Sequence, residues 1–137
     1  MEKDRKIVII TDDAASIQKL AENIVAVIGG VQGYSAAVIP AEIFSGSELL
    51  PAYAFFLGCE APEPSSFLYI ETLLQHINLA GRPCGIFSTG AKTLKYLSSL
   101  VRDSEPAVGK PFLAKGGAAD GDQLQSWVHG ILKRGDK

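Results

Sequence analysis

The chain has 137 residues, of which 47% are hydrophobic and 20% are charged, so it is not a disordered chain and is predicted to form one domain over residues 1–137. Thirteen Lys and Arg residues against fifteen Asp and Glu residues leave a formal net charge of −2. Because there is no basic block and no basic stripe with interleaved aromatics, this balance argues against a nucleic-acid partner.

The sequence also argues against a membrane partner. No apolar run approaches the roughly 20 residues that a membrane-spanning helix needs. The first residues carry charges of both signs and lead directly into a strand pattern, unlike a signal peptide. We therefore expect a cytoplasmic protein, with a loose tail at residues 133–137.

Strand and helix patterns alternate in the first half of the chain. Apolar runs predict buried strands at residues 6–11 and 34–39, and a third at 52–58 that stops abruptly at Gly58. A helix with one buried face follows the first strand and ends at Gly29 and Gly30. A short or irregular helical connection is predicted at residues 41–50. The buried positions of the first helix are Ile17, Leu20, Ala21, Ile24 and Ile28.

The second half continues the alternation. Ser65 or Ser66 is expected to cap the next helix, and strands are predicted at residues 83–87 and 112–114. Asp122 and Gln125 form a predicted capping box at the start of the last helix. The apolar positions of the three helices are Ile70, Leu73, Leu74 and Ile77; Leu94, Leu97 and Val101; and Leu124, Trp127, Val128 and Ile131.

Alternating strands and helices predict an α/β three-layer sandwich. Right-handed crossovers give a five-stranded parallel sheet in order 2-1-3-4-5, with helices on both faces. Ligands bind at the carboxyl ends of such strands. We therefore expect the loops at residues 11–16, 58–66, 88–92 and 115–121 to converge at one edge of the sheet and to form the functional site.

Several residues in these loops have two interpretations. Asp12 and Asp13 could bind a cation or pair with Lys115, but an aspartate between a strand and a helix is first expected to cap the helix. Cys59 could be a reactive thiol, although a small buried apolar residue is the better interpretation. Cys59 and Cys84 lack metal-ligand spacing and are expected to be free thiols.

We identify no catalytic residues in the sequence. The sequence shows no Ser or Cys partner for His76 or His129 that would suit nucleophilic catalysis, so neither histidine is interpreted as catalytic. No arrangement of residues typical of a hydrolase, a transferase or a metalloenzyme is present.

The chain resembles the flavodoxin-like family over nearly its whole length. Leu-Gly-Cys at residues 57–59 is similar to the end of the third strand of short-chain flavodoxins. Leu-Ala-Gly-Arg at 79–82, followed by Ile-Phe at 86–87, resembles their approach to the fourth strand, and Trp127 matches the tryptophan of their final helix. The resemblance implies the flavodoxin-like fold and an FMN-binding role in electron transfer.

The resemblance also implies where FMN would bind. The phosphate loop of flavodoxins, Ser/Thr-x-Thr-Gly-x-Thr, corresponds to Thr-Asp-Asp-Ala-Ala-Ser at residues 11–16. Ala14 replaces the glycine, and each carboxylate within about 5 Å of a phosphate would cost on the order of 1–3 kcal/mol. The other two loops lack the usual stacking aromatic residues. The implied flavin-binding residues are Thr11, Asp13, Ser16, Gly58, Cys59, Glu60, Ala61, Ser88, Thr89 and Gly90, and weakened or altered flavin binding is expected.

An alternative resemblance is to the receiver domains of response regulators, which share this topology. The pair Asp12 and Asp13 resembles the acidic metal-binding pair of receivers, Thr89 their hydroxyl residue and Lys115 their lysine. Gly58 stands where the phospho-acceptor aspartate would be, so phosphoryl transfer would have no nucleophile. This resemblance implies a cofactor-free pseudo-receiver or protein-interaction domain. Both alternatives are compatible with a redox or signalling protein partner and with a homodimer.

Overall fold

The computed structural model describes residues 5–49, 51–62, 64–114 and 121–133. The strands are β1 (Arg5–Thr11), β2 (Tyr34–Pro40), β3 (Ala54–Gly58), β4 (Pro83–Ser88), β5 (Ala107–Val108) and β6 (Phe112–Leu113). The helices are α1 (Ala15–Gly29), α2 (Gly46–Leu49), α3 (Leu68–His76), α4 (Ala91–Leu100) and α5 (Gly121–Lys133). One 3₁₀ turn, Ser65–Phe67, precedes α3, and another, Arg102–Ser104, follows α4. Within these ranges no helix is both long and apolar enough to cross a membrane.

The strands form one parallel sheet in the order β2-β1-β3-β4-β5, which confirms the order predicted from the sequence. The outer position beside β4 is shared by two short strands. Ala107 pairs with Pro83, and Phe112 pairs with Phe87, so the register changes by one residue between β5 and β6. The predicted strand at residues 112–114 is β6, and β5 was missed because the segment between them acts as a bulge around Pro111.

Side chains of the central strands alternate between two apolar layers. In β1, Val8 and Ile10 belong to the core under α3 and α4, whereas Ile7 and Ile9 belong to the core under α1 and α5. All four of these side chains are almost completely buried. The predicted helices on both faces are therefore confirmed, and the uniformly apolar strands are explained by burial on both sides.

The predicted helix caps are wrong at three helices. Ala14 stands at the N-cap of α1 and makes no side-chain capping bond. Before α3, the N–H groups of Phe67 and Leu68 donate to the carbonyls of Pro64 and Ser65, so the 3₁₀ turn does what a serine hydroxyl was expected to do. The last helix begins at Gly121, which places Asp122 within its first turn and not at the predicted cap.

Trp127 is only partly buried, although its spacing predicted a core position. Its ring lies 5.3 Å from that of Phe56 in an edge-to-face arrangement. Its indole Nε1 donates a 2.6 Å hydrogen bond to the carbonyl of Lys110, in the segment between β5 and β6. Trp127 therefore joins α5 to the irregular edge of the sheet. A Cβ atom at Gly85 would lie 2.6 Å from Phe56 and 3.1 Å from Trp127, so this contact depends on a glycine in β4.

We predict that Gly85→Ala lowers the free energy of unfolding by about 1–3 kcal/mol, because Phe56 is buried and has no free space to move into. Gly130→Ala is the matched control, since a Cβ atom there meets nothing within 4 Å. That control should stabilise α5 by roughly 1 kcal/mol. Urea unfolding followed by circular dichroism measures both changes, and an unchanged stability for Gly85→Ala would contradict the packing described.

Candidate functional site

The loops that follow β1, β3 and β4 meet at the carboxyl edge of the sheet. Hydrogen bonds join Asp12 to Glu60, Ser88 to Cys59, and Thr93 to Glu60. The predicted convergence is therefore confirmed for the loops at 11–16, 58–66 and 88–92, of which residue 63 is not described. Residues 115–120 of the fourth predicted loop, which include Lys115, lie outside the described residues.

Asp12 links the first two loops through its carboxylate. Oδ2 accepts a 2.9 Å hydrogen bond from the N–H of Glu60, and Oδ1 accepts one of 3.2 Å from the N–H of Ala14. The side chain is only 7% exposed. The expected helix cap is instead a local turn combined with a bond to a second loop. Burial raises the pKa of Asp12, and the nearby carboxylates of Asp13 and Glu60 raise it further, whereas the two backbone hydrogen bonds lower it.

The side chain of Gln18 bonds to two groups at the end of β1. Its Nε2 donates to the hydroxyl of Thr11 at 2.8 Å and to the carbonyl of Asp12 at 2.7 Å. The Thr11 side chain is fully buried, so its hydroxyl holds the loop and does not face a ligand. Gln18, which lies on α1 directly after the buried Ile17, was not predicted from the sequence.

Ser88 and Thr93 hold the remaining loops. The hydroxyl of Ser88 donates to the carbonyl of Cys59 at 2.8 Å and accepts from the N–H of Gly90 at 3.2 Å. Thr93 donates to the carbonyl of Glu60 at 3.0 Å. Both side chains are buried. Thr93 was also missed, although its position four residues before Leu97 places it on the apolar face of α4.

Cys59 lies in the apolar core beneath the site. Its side chain is fully buried, and burial raises the pKa of its thiol to about 12, with a smaller contribution from the charge of Asp12. The thiol is therefore protonated at neutral pH and is not a nucleophile. Burial also raises the pKa of Cys84, and both cysteines are free. The interpretation of Cys59 as a buried apolar residue is confirmed.

The solvent-facing part of the site begins at the N-terminus of α1. The N–H groups of Asp13, Ala15 and Ser16 have no hydrogen-bond partner among the described residues. Free N–H groups at the start of a long helix attract anions. Ser16, however, donates its hydroxyl to the Glu60 carboxylate at 2.8 Å, and the side chain of Asp13 is exposed beside them. The site therefore combines N–H groups that favour an anion with two carboxylates that oppose it.

The rest of the site has little side-chain chemistry of its own. Ala61 is exposed, whereas Thr89 and Gly90 are partly exposed. The described residues of the loops at 58–66 and 88–92 include no aromatic side chain. Over the described ranges, no cluster of three His, Cys, Asp or Glu residues could hold a metal ion. The described part of the site can therefore bind and position a ligand, but it offers no group of side chains for a metal ion.

Gly58 is required by the ring that packs against it. A Cβ atom at this position would lie 2.3 Å from the side chain of Phe87, which is itself fully buried. The aspartate of a receiver domain could not occupy this position unless Phe87 moved. The glycine that distinguishes this chain from receivers is therefore part of its packing.

A separate cavity lies at the amino edge of the sheet, away from these loops. It has a volume of about 500 Å³ and is lined by residues from the ends of α1 and α5 and the start of β2, among them Val31, Tyr34 and His129. None of the residues implied by the family resemblance lines it.

Comparison with known proteins supports the fold. No protein-family model matches the chain, and no curated protein matches it in sequence. A short-chain flavodoxin associated with a non-canonical PDU bacterial microcompartment is similar in structure with a TM-score of 0.81 and 12% identity, over 98% of this chain and 99% of that one. A Streptococcus pneumoniae TIGR4 flavodoxin has a TM-score of 0.75 and 11% identity, over 96% and 97% of the two chains.

A flavodoxin from the domain Archaea also has a TM-score of 0.75, with 17% identity, over 96% of this chain and 99% of that one. The chain therefore has the flavodoxin-like fold over nearly its whole length, as its sequence resemblance implied. At these identities the likeness concerns the fold and not the ligand.

We predict that Asp12 makes the free energy of unfolding depend on pH in the acid range, and that its raised pKa sets the direction of the change. A carboxyl group with a raised pKa stabilises the folded state most when it is protonated, below its unfolded pKa, and that stabilisation is lost as pH rises through the folded pKa. The stability of the wild type relative to Asp12→Asn should therefore fall as pH rises above about 4 and then become constant. Urea unfolding of both proteins from pH 3 upward measures the difference. A difference that increases with pH would contradict the raised pKa.

Proposed function

We propose that this chain is an electron carrier that binds a flavin, with FMN as the ligand, at the carboxyl edge of its sheet. The proposal is supported mainly by the convergence of the loops after β1, β3 and β4 beside N–H groups at the start of α1 to which no described residue bonds. The likeness to flavodoxins over nearly the full length of the chain is consistent with this site. When bound, FMN would supply reversible electron transfer, and a redox protein would be the partner.

The start of α1 suits the phosphate of FMN only in part. The N–H groups of Asp13, Ala15 and Ser16 supply donors, and the helix dipole favours a negative group. The carboxylate of Asp12 is already turned inward and bonded, so it opposes the phosphate less than the sequence suggested. Asp13 and Glu60 remain exposed and oppose it, which supports weak binding.

The other loops would contact the ring through backbone groups and small side chains. Glu60, Ala61, Thr89 and Gly90 lie on the loops that flank the position of the ring in this proposal. Because these residues offer no aromatic stacking surface, the ring would gain less binding energy than it would against a tryptophan or tyrosine. The buried hydroxyls of Thr11 and Ser88, together with Cys59, would act by positioning the loops. We therefore assign these three residues a supporting role and not direct contact with the flavin.

We predict a dissociation constant for FMN no tighter than about micromolar, and a gain of at least tenfold for the double variant Asp13→Thr/Ala14→Gly. The variant removes one exposed carboxylate and gives the loop a glycine, while it leaves the bonds of Asp12 in place. Riboflavin, which lacks the phosphate, should bind the variant and the wild type equally. Flavin fluorescence quenching at fixed ionic strength measures all four combinations.

Asp103→Thr is the control for net charge, since Asp103 is exposed in the turn after α4, outside the loops of the site. It should leave the FMN affinity unchanged. Nanomolar binding by the wild type would contradict the weak phosphate site. If neither FMN nor riboflavin binds saturably to the wild type or to the double variant, the proposed function is contradicted and a protein-interaction role is favoured.

A further inference from the structure

β2 forms one edge of the sheet. The strand pairs with β1 along all of its length and has no described strand on its other side. Its sequence, Tyr-Ser-Ala-Ala-Val-Ile-Pro, contains no charged residue. Edge strands of monomeric proteins are usually protected by charges, bulges or a covering segment, because an uncovered edge pairs with other chains.

The hydrogen bonds of the parallel ladder show which groups face outward. The N–H of Arg5 donates to the carbonyl of Gly33, and the N–H of Ala41 donates to the carbonyl of Thr11. Every second residue from Gly33 to Ala41 therefore points its backbone N–H and C=O groups toward β1. The residues between them point their backbone N–H and C=O groups outward, away from β1. These outward residues are Tyr34, Ala36, Val38 and Pro40.

The backbone groups from the carbonyl of Tyr34 to Val38 are unsatisfied on this edge within the described chain. The N–H of Tyr34 donates to the carbonyl of Val31, and Pro40 has no N–H to donate. Ala36 and Val38 each present an outward N–H and an outward carbonyl, for which the described chain provides no partner. Two donors, on Ala36 and Val38, and three acceptors, which include the carbonyl of Tyr34, therefore lie before Pro40.

We infer that two copies of this chain pair through β2 in antiparallel orientation to form a homodimer with a continuous sheet. Ala36 of one copy would stand opposite Val38 of the other, and the two-fold axis would pass between the two Ala37 residues. This register makes four hydrogen bonds, since each Ala36 and Val38 pair exchanges two. It is self-complementary, as a two-fold interface must be.

The residues around the edge suit this register. Ala37 is exposed, and across the axis it would face only the Ala37 of the partner, at the close spacing of a non-hydrogen-bonded pair. It lies on the face opposite α1, because its neighbours Ala36 and Val38 pack into the core under α1 and α5. The helix that follows β2 on that side is α2, which has only four residues.

The charges at the two ends of the edge are opposite. Arg5 and Lys6 lie in β1 beside the amino end of β2, and Lys6 is exposed. Glu42 is exposed just beyond the carboxyl end. Antiparallel pairing brings the basic end of one copy next to the acidic end of the other, whereas parallel pairing would place like charges together. Ile43, which is 72% exposed at the carboxyl end, adds apolar surface beside the interface.

The test is the oligomeric state of the full chain and of charge variants at the axis. We expect sedimentation equilibrium to show a wild-type dimer. Ala37→Lys and Ala37→Glu should each raise the dimer dissociation constant at least tenfold, because like charges would face each other across the axis. An equimolar mixture of the two variants should recover the dimer, since the charges are then opposite.

Ser98→Lys, on an exposed position of α4, is the matched control and should remain dimeric. Circular dichroism checks that each variant is folded. A monomeric wild type at all concentrations would overturn the proposal and leave the edge for an extended segment of another protein. A dimer that survives Ala37→Lys, or a mixture that does not recover, would overturn the register and the interface. The outcome is independent of flavin binding, so this proposal and the proposed function can fail separately.

Discussion

The arrangement of the candidate site depends on the buried carboxylate of Asp12. Its two oxygens accept the N–H groups of Ala14 and Glu60, so one side chain fixes both the start of α1 and the loop after β3. Burial of a carboxylate is unfavourable unless hydrogen bonds compensate for the lost water, and these two bonds supply part of that compensation. The Glu60 loop is then fixed from its other side by Thr93. Loss of the Asp12 contacts would therefore remove a constraint that two of the three loops share.

The same arrangement explains why the site has the geometry of an anion site but is not strongly favourable to anions. The fold brings α1 to the carboxyl edge, where the N–H groups of Asp13, Ala15 and Ser16 have no partner in the described part of the chain. The hydroxyls of Thr11 and Ser88, which the family resemblance implied as ligand contacts, are used to hold the loops together. What remains exposed to a ligand is backbone and two carboxylates. Affinity for a phosphate would then be set by these opposing charges and would vary with ionic strength.

Much of the fold could be predicted from the sequence, because apolar periodicity directly reports burial. The uniformly apolar run that ends at Gly58 and the spaced apolar residues of α1 predicted the parallel sheet and its helices. The side-chain hydrogen bonds were harder to predict than the strands and helices. The side chains of Asp12, Gln18 and Thr93 could equally bond to water, and their partners in the fold are mostly distant in sequence. The preference of aspartate for helix caps predicts a bond within its own loop, and it does not predict that the Asp12 carboxylate accepts the N–H of Glu60. The strand β5 was missed because two residues beside a proline-containing bulge have no detectable periodicity.

We propose a flavin site at the carboxyl edge held by Asp12. The most direct measurement is a titration of the ¹⁵N-labelled chain with FMN, followed by amide chemical shifts. A flavin bound at this edge should cause saturable shifts at the amides of Asp13, Ala15 and Ser16 and on the loops after β3 and β4. Shifts at the cavity beside Tyr34 and His129 with none at the start of α1, or no shifts at millimolar FMN, would contradict it.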